Sequence, residues 1–185
     1  MLLFTGVRPN EALALRWPQI DWAHDLIRVR QSVARDGSLG LPKTQTSERD
    51  VEMIGLVLRA LQEQRARSQL KGELVFPSAN GTPIDLNNFR ARNWPRIIRR
   101  AGVRARTIYQ CRHSCARFLI EQGDTPQHVA AQLGHVGIRM VFEVYGRWLK
   151  RPTSAAMEAL DRAVSVTHPS PIVGGQAAGI SGKQR

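Results

Sequence analysis

Arg8, Lys43, Arg112, His135 and Tyr145 are side chains of the types needed to cut a phosphodiester without a metal. In that reaction negative charge builds on the non-bridging oxygens, and a planar guanidinium binds two oxygens at once. A nucleophile and a proton donor for the leaving oxygen complete the requirement. Tyr109 and Tyr145 are the chain's two tyrosines, so the choice of nucleophile is narrow. Each residue also has a plainer use. Arg8 can pair with Glu11 at a helix end, and Lys43 can be a solvated hairpin lysine. Arg112 lies in the apolar run YQCRHSCARFL, where a buried cation needs an anionic partner. His113 can be a hydrogen-bonded core histidine, His135 an imidazolium at a helix terminus, and Tyr145 a half-buried helix tyrosine. Taken singly, none of these decides between chemistry and packing.

The elements that must position them are legible in outline. Pro9 suits a first helical position and predicts a helix over about 9–16, with Glu11 one turn in. LIRVRQSV and RDVEMI alternate, and DG marks a tight turn, which predicts a small antiparallel sheet over about 25–54 with Lys43 near a hairpin. GLVLRALQEQRARSQL reads as an amphipathic helix and ELVFPSANGTPID as a loop. LNNFRARNWPRIIRRAG reads as a basic helix bent or restarted near Pro95. RTIYQCRHSCARFLIEQG is a helix closed by Gly123, and TPQHVAAQLGH starts on Thr125 as N-cap. IRMVFEVYGRW and TSAAMEALDRAV are helical, while the Pro/Gly/Ser-rich stretch from about Ser165 is aperiodic. The expectation is an α+β, mainly α-helical domain over 1–164 and a disordered tail over 165–185.

Charge points to the partner. Among 185 residues, 27 Lys and Arg face 15 Asp and Glu, a formal net charge of +12. The basic residues are spread through the expected elements, which favours a polyanion, most often nucleic acid. Arg90, Arg92, Arg96, Arg99 and Arg100 are placed to follow a DNA backbone, with Asn87 and Asn88 able to read base edges. Cys111 and Cys115, four apart on one helix face, read as small core residues in a reducing, cytoplasmic compartment. No zinc-like spacing occurs, so neither metal nor cofactor is expected. MLLFTGV is no signal peptide, and no stretch is long enough to span a membrane.

The order and spacing of the motifs are more specific than any one residue. TGVRPNEALALRW, LPKTQTSERDV, YQCRHSCARFLIEQG and LGHVGIRMVFEVYGRW follow one another along the chain. Together they resemble the catalytic domain of the tyrosine recombinases, the phage-integrase family, over roughly residues 1–150. The resemblance implies that Tyr145 attacks a DNA phosphate and forms a 3′-phosphotyrosine bond. It implies that Arg8 and Arg112 clamp the non-bridging oxygens, that Lys43 protonates the departing 5′-oxygen and that His135 hydrogen-bonds the phosphate. Glu11 would orient a neighbour such as His113, with Tyr109 and His113 in support. Tyr109 stands where the family usually carries His or Lys, and a phenol is a poor base near neutral pH. The resemblance also implies a preceding core-binding domain and first helix that this chain lacks, leaving Leu2, Leu3 and Phe4 exposed. Duplex DNA is the implied partner, with self-association through the C-terminal helix. The alternatives are a DNA-binding fragment without strand exchange or an inactive remnant. A type IB topoisomerase fits the motif contexts less well.

Overall fold

The structure, a computed structural model, describes residues 1–40, 48–149 and 162–163. Within it Met1–Leu149 form one compact unit. A short helix α1 (Leu2–Thr5) ends at Gly6, whose left-handed backbone (φ 65°) turns the chain into α2 (Pro9–Ala14). Arg8 is the N-cap of α2 and Pro9 its first residue, as the missing proline N–H favours. The expected run to residue 16 stops at Ala14, because Leu15 turns extended and its N–H bonds back to Ala12 O. Leu3 and Phe4 are exposed as expected, but Leu2 is half-buried against the first core.

The sheet follows the alternation but is divided. β1 (Ile20–Asp21), β2 (Leu26–Val29) and β5 (Arg49–Glu52) pair antiparallel in the order β1-β2-β5. β3 (Ser32–Val33) and β4 (Leu39–Gly40) form a separate hairpin. β1 begins ahead of the expected span. Ile27 pairs with Val51 in the register, and the period of two buries Ile27 and Val29 on β2 and Arg49 and Val51 on β5. Arg49 thus faces inward by register. Helix α3 (Gly55–Ser68) lays Val57 and Leu61 on this sheet, completing a core with Val7, Ala12, Leu15 and Val75.

The basic segment is a helical run in three pieces. α4 (Leu86–Asn88) is capped by the Asp85 carboxylate, which accepts from Asn88 N at 2.6 Å. A π-helical stretch, Phe89–Asn93, leads into α5 (Trp94–Arg100). The wider turn lets Pro95 enter at the start of a fresh α segment, the restart that the proline predicts. α6 (Gln110–Glu121), α7 (Pro126–Leu133) and α8 (Arg139–Tyr145) build a second core from Ala116, Ile120, Val129, Leu133, Val141 and the ring of Tyr145. The Thr125 hydroxyl accepts from His128 N at the start of α7. Cys115 is buried and Cys111 half-buried, both as free thiols. Of the helix expected over 153–164, Arg162 and Ala163 are described and helical. The rest of it, its boundary with a tail, and Lys43 lie outside the described residues. Among the described residues no helix is long and apolar enough to cross a membrane.

The two cores are joined by an amide acting as a strand. β5 is an edge of its sheet, and its Glu52 N donates to Gln132 Oε1 while Gln132 Nε2 donates to Glu52 O, both at 3.0 Å. The side chain covers an edge that would otherwise need another partner. Gln132→Leu keeps the bulk and leaves both backbone groups without protein partners. The expected loss is about 1–3 kcal/mol, read by urea unfolding of the two proteins side by side.

Candidate active site

The arrangement starts at Glu11, buried on α2 (side chain 2% exposed). Its Oε2 accepts from Arg8 N at 2.8 Å, which fixes the first turn of the helix. Its Oε1 accepts from Arg8 Nη1 at 2.7 Å. From the sheet side, Arg49 donates Nη1 to Oε1 at 3.2 Å and Nη2 to Oε2 at 2.9 Å. Arg49 Nε also donates to Gln132 O at 3.0 Å, so the same side chain ties β5 to α7. Burial pushes the Glu11 pKa up, but the hydrogen bonds and charge of Arg49, with those of Arg8, outweigh it and hold the carboxyl below its ordinary value. Of the neighbours considered for Glu11, Arg8 is a partner and His113 is not: the carboxylate bonds Arg8 and Arg49, and His113 lies on α6 against Tyr145.

Two glycines supply the carbonyls that aim the arginines. Gly134 closes α7 in a left-handed conformation (φ 67°), and its O accepts from Arg8 Nη2 at 3.0 Å. Gly6 O accepts from Arg112 Nη1 at 2.6 Å, and Leu133 O accepts from Arg112 Nη2. Neither glycine has room for a side chain. A Cβ on Gly6 would lie 2.5 Å from Leu133 Cδ2, and one on Gly134 would lie 2.9 Å from Arg49 Cδ. This gives the Thr-Gly before Arg8 and the Gly before His135 a physical reason.

Arg112 is buried (2% exposed), is held by carbonyls, and makes no ion pair with a carboxylate among the described residues. Burial, then repulsion from Arg8, lowers its pKa to about 10, so it stays charged at neutral pH. Among the described residues, Glu11 is the carboxylate that Arg8 and Arg49 contact, while Arg112 meets backbone carbonyls. A buried guanidinium held by carbonyls favours an anion from outside. The rest of the Arg112 fork has no protein partner among the described residues.

His135 follows Gly134 and lies with its ring parallel to that of Tyr145, centroids 6.4 Å apart. Burial first, then the charges of Arg112, Arg8 and Arg49, push its pKa down to about 4. The plainer alternative, an imidazolium at this helix end, is therefore not met: the ring is neutral. Its Nδ1 is buried without a hydrogen-bond partner among the described residues. Tyr145, at the end of α8, is buried, and its hydroxyl lies 2.9 Å from His113 Nδ1. Burial raises its pKa, with Arg112 pulling the other way. Tyr109 is exposed and meets the His113 ring edge-on at 5.4 Å.

Beside these groups opens a cleft of about 520 Å³, lined by Arg8, Arg35, Arg90, Tyr109, Gly134 and His135 among others. Arg90 carries the basic run to the rim. Arg90, Arg92, Arg96, Arg99 and Arg100 are all exposed, as are Asn87 and Asn88, and none of the arginines pairs with an acid among the described residues. The structure brings together Arg8, Glu11, Tyr109, Arg112, His113, His135 and Tyr145. Lys43 lies outside the described residues. Sequence reasoning missed Arg49 and the carbonyls of Gly6 and Gly134. Arg49 was readable as the inward residue of an alternating strand, RDVE, but nothing local names its partner 38 positions away.

A model of the phage integrase family matches residues 1–151. Among curated relatives, IntQ of Escherichia coli (strain K12) is 30% identical over 91% of this chain and 48% of its own length. Prophage integrase IntR of the same strain is 29% identical over 80% of this chain and 41% of its own. A XerC-like tyrosine recombinase of Caldanaerobacter subterraneus is 26% identical over 85% and 46%. The chain spans about half the length of the curated relatives it matches, or less. Among solved structures, the Tn1549 transposon integrase in complex with circular intermediate DNA superposes with a TM-score of 0.68 at 20% identity, over 88% of this chain and 57% of that one. XerA recombinase gives 0.63 at 20% identity, over 88% and 55%. The α+β, mainly helical fold with a small antiparallel sheet is that of these recombinase domains.

The buried charges set the acid stability. His135 binds a proton in the unfolded chain near 6.5 but in the folded one only near 4, so stability falls as pH drops through that interval. The Glu11 pKa is depressed, so its contribution is complete above its ordinary 4.5 and lost as pH falls through the lower folded value. Thermal unfolding across pH 3 to 8 should therefore decline in two overlapping windows. His135→Asn should make the upper one shallower, where His113 adds to the decline and His128, raised by Asp124, opposes it. Glu11→Gln should make the lower one shallower, where Asp21 and Asp36 also titrate. A His135→Asn profile that matches the native one from pH 6.5 to 4 contradicts the first assignment.

Proposed function

The chain belongs to the phage integrase family, and from that premise we propose that residues 1–164 are the catalytic domain of a site-specific DNA recombinase, with 165–185 as a tail. The observation that carries the reading is the buried, carboxylate-free Arg112 beside Arg8. A scissile phosphate is the anion that this cluster lacks. Arg8 and Arg112 take its non-bridging oxygens with the parts of their forks that the protein leaves open. His135, neutral, donates one hydrogen bond to the phosphate, and Tyr109 supports the same group from the cleft wall.

Tyr145 Oη attacks phosphorus in line, the P–O5′ bond breaks, and a 3′-phosphotyrosine remains. Lys43, assigned from its motif, protonates the 5′-oxygen. The covalent bond conserves the energy of the phosphodiester, so rejoining needs no ATP. The arginines supply the positive charge, and neither metal nor cofactor enters the scheme. The basic run α4–α5 extends the contact along the duplex from Arg90 outward, its arginines on phosphates and Asn87 and Asn88 at base edges. A core-binding domain grips the opposite face, and the C-terminal helix contacts a neighbouring protomer on DNA in the cytoplasm.

Incubation with flanking genomic duplex, nicked near the crossover so that a cut strand cannot rejoin, should give a protein–DNA adduct that survives SDS. Tyr145→Phe should give none, and Arg112→Ala should slow its formation by roughly 100-fold or more. An adduct that persists in Tyr145→Phe, or none from the folded chain with a core-binding domain supplied in trans, sinks the reading. Arg92→Ala with Arg96→Ala should weaken duplex binding and make the salt dependence shallower, by roughly one unit of logarithmic slope for each phosphate that is no longer neutralised.

A further inference from the structure

Tyr145 faces a difficulty that the phosphate clamp does not solve. Its hydroxyl is buried with a raised pKa, so phenolate does not form ahead of attack at neutral pH. The proton must leave as the new bond forms, to a group already within hydrogen-bond reach. Tyr109, in the motif position that commonly carries a base, is a phenol. It touches the ring of His113, not the hydroxyl of Tyr145. His135 lies flat along Tyr145 at 6.4 Å and makes no hydrogen bond to it.

We propose that His113 is the proton acceptor for Tyr145: its Nδ1, 2.9 Å from the hydroxyl, takes the proton as Oη bonds to phosphorus. This rests on Tyr145 as nucleophile. The groups that face His113 are Tyr145 on α8, Tyr109 in the turn before α6, Arg112 beside it on α6 and His135 after α7. None is an acid that would hold it protonated. Burial, then Arg112, lowers its pKa from 6.5, so the ring is neutral at pH 7 and Nδ1 is free to accept, with the hydrogen on Nε2.

The step balances. The Tyr145 O–H bond breaks and its proton passes to Nδ1 while the O–P bond forms. The P–O5′ bond breaks, and its electron pair leaves on the 5′-oxygen with a proton from Lys43. Rejoining reverses both transfers, and His113 returns the proton to the departing phenol. The imidazolium formed in between sits beside Arg112, where the bound phosphate offsets its charge. His113 thus does the work that Tyr109 cannot.

The test uses the full chain and a duplex with sulfur in place of the bridging 5′-oxygen at the bond mapped by the adduct. A thiolate leaves without a proton, so a missing leaving-group acid no longer matters, whereas a missing base still does. His113→Ala should form adduct roughly 100-fold more slowly on both the oxygen and the sulfur substrate, and added imidazole should restore part of the rate. Lys43→Ala should be slow on oxygen and near native on sulfur. The native rate should fall at acid pH on a limb below 6.5. In His113→Ala that limb should give way to a steady rise with hydroxide toward the tyrosine pKa. His113→Asn keeps a hydrogen-bonding side chain without basicity and should be as slow as alanine, with melting temperature checked for both. Native-rate cleavage of the sulfur substrate by folded His113→Ala, or full activity in His113→Asn, overturns the proposal and leaves Tyr145 as nucleophile. No adduct from the native chain with its domain in trans overturns both.

Discussion

Glu11 is one carboxylate between two arginines, and the placement of the site follows from that shortage. Its oxygens hold the Arg8 backbone, the Arg8 guanidinium and the Arg49 guanidinium at once. Through Arg8 it sets the first turn of α2, and through Arg49 it reaches the sheet and the end of α7. A single buried acid thus brings a helix, a strand and a second helix to one point. Buried ion pairs are poor sources of net stability, because desolvation offsets the attraction. Here the carboxylate fixes geometry: removing Glu11 would leave the buried Arg49 guanidinium without it, whereas Arg8 reaches the open cleft.

The positive excess then organises the rest. Among the described residues Arg112 meets no carboxylate and is steadied by backbone carbonyls instead. Glycines in left-handed turns hold the backbone at both ends of this clamp, so the backbone supplies the orientation that side-chain acids would otherwise give. The same field keeps His135 and His113 neutral, each repelled by Arg112 after burial. Neutral rings can donate from one nitrogen and accept at the other. Both imidazoles are therefore neutral and available for hydrogen bonding at neutral pH, through burial first and the arginine charges second.

Most of this architecture was legible because it is local. Pro9, Thr125 and Gly123 mark helix ends by backbone rules, and Pro95 marks a restart. The alternation of β2 and β5 gave the sheet, though not the two-residue β1, which is too short to carry a period. The motif residues were named by type and spacing, and those among the described residues lie close together. What stayed hidden depends on contacts distant in sequence. Arg8 was among the partners considered for Glu11, but Arg49, 38 positions away, was not. The charge state of His135 was also out of reach: a helix terminus favours imidazolium, but burial and three guanidiniums nearby reverse the preference. No local pattern reports that sum.

The tyrosine ring has a second employment with a mechanical consequence. Tyr145 packs with Val129, Leu133 and Val141, and Trp148 lies 6.1 Å from its ring. Interiors are dense, and a ring that departs leaves a void its neighbours must fill. If Tyr145 is the nucleophile proposed above, any movement of its ring toward a phosphate repacks α6, α7 and α8 together and is not the flip of a free rotamer. The position of that hydroxyl and the solidity of this three-helix core are then one equilibrium. A ligand that draws the ring toward the cleft loosens the core, and a substitution that loosens the core changes how readily the ring can follow.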